Sequence, residues 1–366
     1  MNSKERVVAA INHQQTDRLP IDFAAREETV RSLADHFKAA DYYRLLDILK
    51  VDLWGVGPKI KHSASPICYA DPTVAVARDP ERNQDVYYDI WGVGFVEKHA
   101  QNGTYIDLLH SPLGNKSSLD DLTTYPFPTA DMWDYGTIRA QAEQHRNYFV
   151  WAHSRGFFEI SWFMRGMNNF LVDLMTSPEY AEQLMDRIAE YLTNRTVRIL
   201  EAAGEGAIDC VEINDDVGSQ NGLLISPELW RQYVKPRMKK MIDTFKAFGV
   251  FIRYHSCGGI RPIIQDLIEI GVDVLNPVQN LARGMDLREL KDTYGHELTF
   301  DGGIDTQELL PHRKGKEFEQ EVRTVLRMMG KNGGYIMAPA HAIQVDVPLD
   351  NVLKLYEVAS LPYGRI

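Results

Sequence analysis

VKPRMKKMIDTFKAFGVFIRYHSCGGIRPIIQDLIEIGVDVLNPV occupies residues 234–278, and the order of its apolar residues decides the architecture. Met238, Met241 and Phe245 recur at spacings of three or four, the pattern of an amphipathic helix, and Gly249 stands where that helix stops. The run VFIRYHS (250–256) that follows is short and rich in β-branched and aromatic residues, as a buried strand requires. Gly271 then closes a second helical stretch ahead of VDVLNPV (272–278). Helix, strand, helix, strand in this order means parallel strands joined by helical crossovers.

The same grammar extends in both directions. YFVWAHS (148–154), DCVEIND (209–215), LTFDGG (298–303) and GYIMAPA (334–340) are further strands of the same kind. Ser226 caps the helix carrying Trp230 and Val234 with Pro227 and Glu228 in its first turn, Pro236 kinks it, and Ser177, Pro178 and Glu179 open the preceding helix the same way. LPIDFA (19–24) and VDLWGV (51–56) bring the strands to eight. No glycine-rich dinucleotide turn follows any of them, which favours a closed (β/α)8 TIM barrel over an open doubly wound sheet. Residues 57–147 read as an insertion of short strands and loops between early barrel strands, so 1–366 is expected to be a single barrel domain.

Composition excludes several classes. Of 366 residues, 44% are hydrophobic and 25% charged, which suits a large buried core. Forty basic against fifty-one acidic residues give −11 without a basic block, against a nucleic-acid-binding surface. The three cysteines, Cys68, Cys210 and Cys257, lie at unrelated spacings and form no disulfide framework. No stretch reads as a signal sequence or a membrane span, and a cytoplasmic location is expected.

A barrel of this type places its active site at the C-terminal ends of the strands. The polar residues just past each apolar run are Asp22, His153, Asp215, Asp216, His255, Cys257, Asn276, Asp301 and His341. His255 and Cys257 alternate along one extended edge, and Gly258 and Gly259 let the chain turn away closely behind them. Zinc accepts imidazole and thiolate together and leaves a catalytic position open, so His255, Cys257 and His341 form a candidate ligand set. The alternative is a buried cysteine acting as a small core residue.

INDDVGSQNGLLISPELWRQYVKPRMKKMID, YHSCGGIRPIIQDLIEIGVDVLNPVQ, DGGIDTQELLP and GGYIMAPAHAIQVDVPLDNVLKLYE resemble the uroporphyrinogen decarboxylase superfamily, and the likeness runs from RVVAAINHQQTDRLP to the C-terminus. The resemblance implies a (β/α)8 barrel and one of two activities: cofactor-free decarboxylation of a porphyrinogen, or zinc-dependent transfer of methyl groups between corrinoid proteins and thiols. The decarboxylase branch carries an arginine-rich PVWMRQAGRY segment after the first strand, where this chain reads LPIDFAAREE and retains only Arg26. The methyltransferase branch carries H-x-C and, much later, a cysteine after GGY; here His255 and Cys257 match, and His341 stands in the place of that cysteine. The likeness is therefore closer to the methyltransferases. It implies zinc, cobalamin carried by a separate corrinoid protein, a small methylated substrate or thiol, and a homodimer. No corrinoid-binding D-x-H-x-x-G pattern occurs in the chain itself.

On this reading Asp215, Asp216 and Glu159 are the catalytic candidates, while Asp22, Asn276, Gln279 and Asp301 are candidates for substrate binding. Each has a plainer alternative: adjacent acids such as Asp215 and Asp216 are ordinary at helix N-termini, and Glu159 with Arg165 forms either a buried pair near the pocket or a salt bridge along a helix. Two other functions make distinct demands. A cofactor-free decarboxylase requires cationic residues converging in the pocket, and a non-catalytic corrinoid or porphyrin carrier requires a wide apolar mouth.

Overall fold

The computed structural model describes residues 1–68, 71–100 and 103–366. Seven parallel strands form one sheet in chain order: β1 (Leu53–Val56), β2 (Phe149–Arg155), β3 (Cys210–Asn214), β4 (Phe251–His255), β5 (Val274–Val278), β6 (Thr299–Ile304) and β7 (Tyr335–Pro339). Every residue of β5, β6 and β7 is buried, which is why these strands read as continuous apolar runs instead of alternating ones.

Residues 19–22 close the barrel as its eighth stave. Ile21 pairs in parallel with Met337 of β7, and Asp52 N, just ahead of β1, donates to Ile21 O at 2.8 Å. This stave is shorter than the strand expected from LPIDFA. Pro20 has no N–H to offer a ladder, and the Asp22 carbonyl is taken by the Tyr356 hydroxyl at 3.1 Å. Instead it is pinned from below: the buried Asp52 carboxylate accepts from Arg6 Nη1 at 2.8 Å, Arg18 Nη1 at 2.7 Å and Ile21 N at 2.9 Å.

The surrounding helices include α1 (Ser3–Ile11), α2 (Phe157–Arg165), α3 (Pro178–Ala203), α4 (Lys235–Lys246), α5 (Leu287–Tyr294) and α6 (Gly315–Gly330). Along α3, Leu184, Met185, Ile188, Leu192 and Ile199 are buried in one stripe. Pro178 opens it as expected, but the Ser177 side chain makes no capping bond, whereas Ser226 does accept from Leu229 N. The kink expected at Pro236 takes the form of a π-helical turn over Trp230–Val234 immediately before α4, because proline cannot donate the bond a regular helix needs there.

The segment between β1 and β2 carries a five-stranded antiparallel sheet of Ser65–Cys68, Pro72–Asp79, Gln84–Asp89, Gly94–Ala100 and Gly103–His110. It is tied to the barrel rim through Asp71, which accepts from Arg155 Nη1 at 3.1 Å and from Trp91 Nε1 at 3.0 Å. Among the described residues no helix is long and apolar enough to cross a membrane.

Candidate active site

At the C-terminal ends of the strands lies a cavity of about 460 Å³. Its lining includes Asp22, Glu159, Glu212, Asp216, Arg253, His255, Cys257, Asn276 and His341, with Trp151, Phe23 and Ile106 as apolar walls. The geometry is built from the end of β4. His255 is the last residue of the strand, and the chain then turns through Gly258 at φ +86, where an added Cβ would meet the Ser219 backbone at 2.6 Å. That close approach holds the loop bearing Cys257 against its neighbour.

Two bonds fix the loop further. Cys257 N donates to Asp216 Oδ1 at 2.8 Å, and Gly258 N donates to Gln279 Oε1 at 2.9 Å. The His255 ring is oriented from behind: its Nδ1 lies 2.6 Å from Asn276 Oδ1, an acceptor, so Nδ1 carries the proton and Nε2 presents its lone pair to the cavity. Cys257 Sγ is 3.8 Å from that Nε2. An ion bound tetrahedrally by one sulfur and one imidazole holds them about 3.6 Å apart, so the pair fits a metal almost as it stands. Among the described residues, the one cluster of three or more ligand-type groups consists of His255, Cys257 and Asp216, with ligating atoms all within 4.8 Å of one another.

His341 lines the same cavity without joining that cluster. Burial, with His255 and Arg26 nearby, lowers its pKa and keeps the ring neutral. Burial and the carboxylates of Asp216 and Glu159 push the Cys257 thiol up, so without a cation it stays protonated.

The remaining candidates separate by position. Glu159 faces the cavity from α2, with Oε2 held by Arg155 Nη2 at 2.8 Å, and burial pushes its pKa up to about 7. Its partner is Arg155, not Arg165; the latter binds Asp173 at 2.6 Å and the carbonyls of Leu113 and Gly114. Asp215 lies behind the cavity and accepts from Glu159 N at 2.8 Å, the role of an acid at a helix N-terminus; burial raises its pKa to about 8. Gln279 buttresses the Cys257 loop, and Asp301 sits beneath the cavity floor, fully buried. Asp22 and Asn276 line the cavity itself. His153 is 3.9 Å from Glu212 and stands apart from the ligand cluster.

Arg253, which strand position alone does not mark as functional, organises the floor. Its guanidinium reaches Asp22 at 2.7 Å, Asp301 at 2.9 Å and Glu212 at 3.2 Å. The signal was present in the alternation of β4: residue 253 shares a face with residue 255, and Glu212 shares one with Asn214 on β3. The cavity lining thus holds four carboxylates, Asp22, Glu159, Glu212 and Asp216, against the guanidinium groups of Arg26 and Arg253.

Residues 141–360 match the family model described as uroporphyrinogen decarboxylase (URO-D). The chain belongs to this family. Among curated members, the uroporphyrinogen decarboxylase of Thermus thermophilus is 30% identical over 178 residues, 48% of each chain. Methylcobamide:CoM methyltransferase MtbA of Methanosarcina acetivorans is 22% identical over 178 residues, 49% of each chain. The chain thus spans about half the length of the curated relatives it matches. A methyltransferase from Methanosarcina mazei shares the fold over 98% of both chains, with a TM-score of 0.68 at 17% identity. The (β/α)8 architecture expected from the strand pattern agrees with the seven-stranded parallel sheet, its eighth stave and this fold match.

Proposed function

We propose that this family member is a zinc-dependent methyltransferase that moves a methyl group between a small methylated substrate or thiol and the cobalamin of a separate corrinoid protein. The observation that carries the reading is the 3.8 Å pairing of His255 Nε2 with Cys257 Sγ, with Asn276 already fixing the imidazole tautomer a metal requires. The charge of the cavity supports it as well. Asp22 and Glu212 share Arg253 and Glu159 is held by Arg155, so in the lining Arg26 alone is left to meet the many carboxylates of a porphyrinogen, while Asp216 is left to meet a cation.

His255 and Cys257 supply two ligands in this proposal. Asp216 stands ready as the third, and His341 faces it from the last strand-to-helix loop as the alternative third or a further ligand. Zinc held there supplies Lewis-acid activation of a thiol, oxygen or amine that carries or receives the methyl group. The protein's own groups do the rest. Asn276 keeps the Nδ1 proton of His255 in place, and Cys257 gives up its thiol proton on ligation. Glu159, held through Oε2 in the cavity lining, would hold or return the proton of the reacting heteroatom. Trp151, Phe23 and Ile106 give the cavity an apolar wall against which the methyl group can lie.

The test is metal analysis of protein purified without added metal, followed by methyl transfer from methylcobalamin to thiols and demethylation of methoxy or methylamine compounds with cob(I)alamin. About one zinc per chain and zinc-dependent turnover in either direction support the proposal. Metal-free protein that decarboxylates uroporphyrinogen refutes it.

A further inference from the structure

Away from the mouth, a second cavity of about 800 Å³ opens at the N-terminal end of the barrel, between α5 and α6. Arg288 and Lys291 reach it from α5, Arg327 from α6 and Lys331 from the loop that follows, with Asp292 as the single acid in the lining. Four cations around one carboxylate run against the −11 charge of the chain as a whole. Helix electrostatics accounts for only part of this. Lys291 and Arg327 lie in the last turns of their helices, where a cation complements the dipole, but Arg288 is the second residue of α5, where it opposes it.

Three of these charges, on Arg288, Lys291 and Lys331, form no ion pair with a carboxylate among the described residues. Lys291 Nζ donates to the Gly333 carbonyl at 2.6 Å, and burial lowers its pKa to about 8. Arg327 is the exception, matched through its Nε by the main-chain oxygen of Ile366. Among the described residues, Arg288 and Lys331 form no ion pair, although both are exposed at the cavity edge. A half-buried ammonium with only a carbonyl for company is costly unless an anion completes it. Cations arriving from two helices and a loop suit an anion with oxygens pointing in several directions better than one planar carboxylate.

We infer that this basal groove binds a small multivalent oxyanion, either a phosphate-bearing molecule or a polycarboxylate, at a site separate from the metal centre. The test is isothermal titration of the full chain at low ionic strength with inorganic pyrophosphate and, separately, with citrate. It compares wild type, the Arg288→Ser/Lys331→Ser double variant, the single Lys331→Glu variant and Cys257→Ser. One saturable site is expected for at least one probe, weakened about tenfold or more in the basal variants, roughly 1.4 kcal/mol, and unchanged in Cys257→Ser. Pyrophosphate alone binding assigns the phosphate source, and citrate alone assigns the polycarboxylate. The inference is overturned if neither probe saturates, if the basal variants bind as wild type does, or if Cys257→Ser abolishes binding. Arg288 and Lys331 are chosen because both are exposed, and the single variant serves if the double one fails to fold.

Discussion

Two buried acid clusters lie at opposite ends of the barrel, and they are treated differently. At the base, Asp52 receives two arginines and a backbone N–H, so its negative charge is fully matched. At the mouth, Glu159 shares Arg155 with Asp71, and Asp301 lies 2.9 Å from an Arg253 nitrogen without an aligned hydrogen bond. Burial pushes Asp301 up to about 8 despite that arginine. A matched carboxylate makes the end of a barrel rigid; an under-matched one remains able to exchange a proton or accept a cation.

Breaking the mouth should abolish function before it affects folding. Replacing Cys257 with Ser is expected to lower zinc affinity by more than the roughly 10–100-fold typical of losing an orienting partner. Competition with a chromophoric chelator measures it, and native-like circular dichroism should persist. Breaking the base should do the reverse. Asp52→Ala leaves two buried guanidinium groups without their shared partner and should cost about 3–5 kcal/mol in urea unfolding, with zinc stoichiometry retained in the protein that remains folded.

Smaller changes sharpen the contrast. Asn276→Ala should weaken zinc binding about 10–100-fold while leaving the melting temperature nearly unchanged, since the residue acts on the His255 tautomer. Replacing Asp216 and His341 singly by Ala ranks the third ligand: the variant with the larger loss of affinity identifies it. The subtlest difference is in pH dependence, read on metal-free protein. Because the folded pKa of Glu159 lies above its ordinary value of 4.5, the native state holds more protons there, and stability falls as pH rises from about 4.5 through about 7. At the base the sign is opposite: the hydrogen bond from Arg6 holds Asp17 below 3.8, so its contribution is present above that value and is lost as pH falls further. Glu159→Gln should flatten the first slope and Asp17→Asn the second.

Much of the barrel was legible because parallel strands buried on both faces leave continuous apolar runs, and a glycine stands before most of them. His255 was legible because it ends an apolar strand run, whereas Cys257 lies on the loop past that strand and is placed by its bond to Asp216. Other features depend on contacts that no local pattern encodes. Asp71 and Arg155 meet across 84 residues of chain. The division between Asp215, which serves a helix end, and Asp216, which faces the cavity, turns on one step of backbone direction. Gln279 reads in the sequence as either a substrate contact or a loop cap, and only the fold shows its side-chain carbonyl oxygen holding the Gly258 amide. The first stave reads as a full strand in its apolar content, and only Pro20 hints at how few bonds it can make.

Gly156 carries a consequence for anyone who would redesign this protein. A Cβ at that position would fall 1.9 Å from the Asp215 Cβ, so the smallest side chain collides with the acid at the start of α2. Library design around the cavity therefore has a blind spot. Positions on α2 can be varied only while residue 156 stays bare, and even alanine there would displace Glu159 along with the helix it rides on.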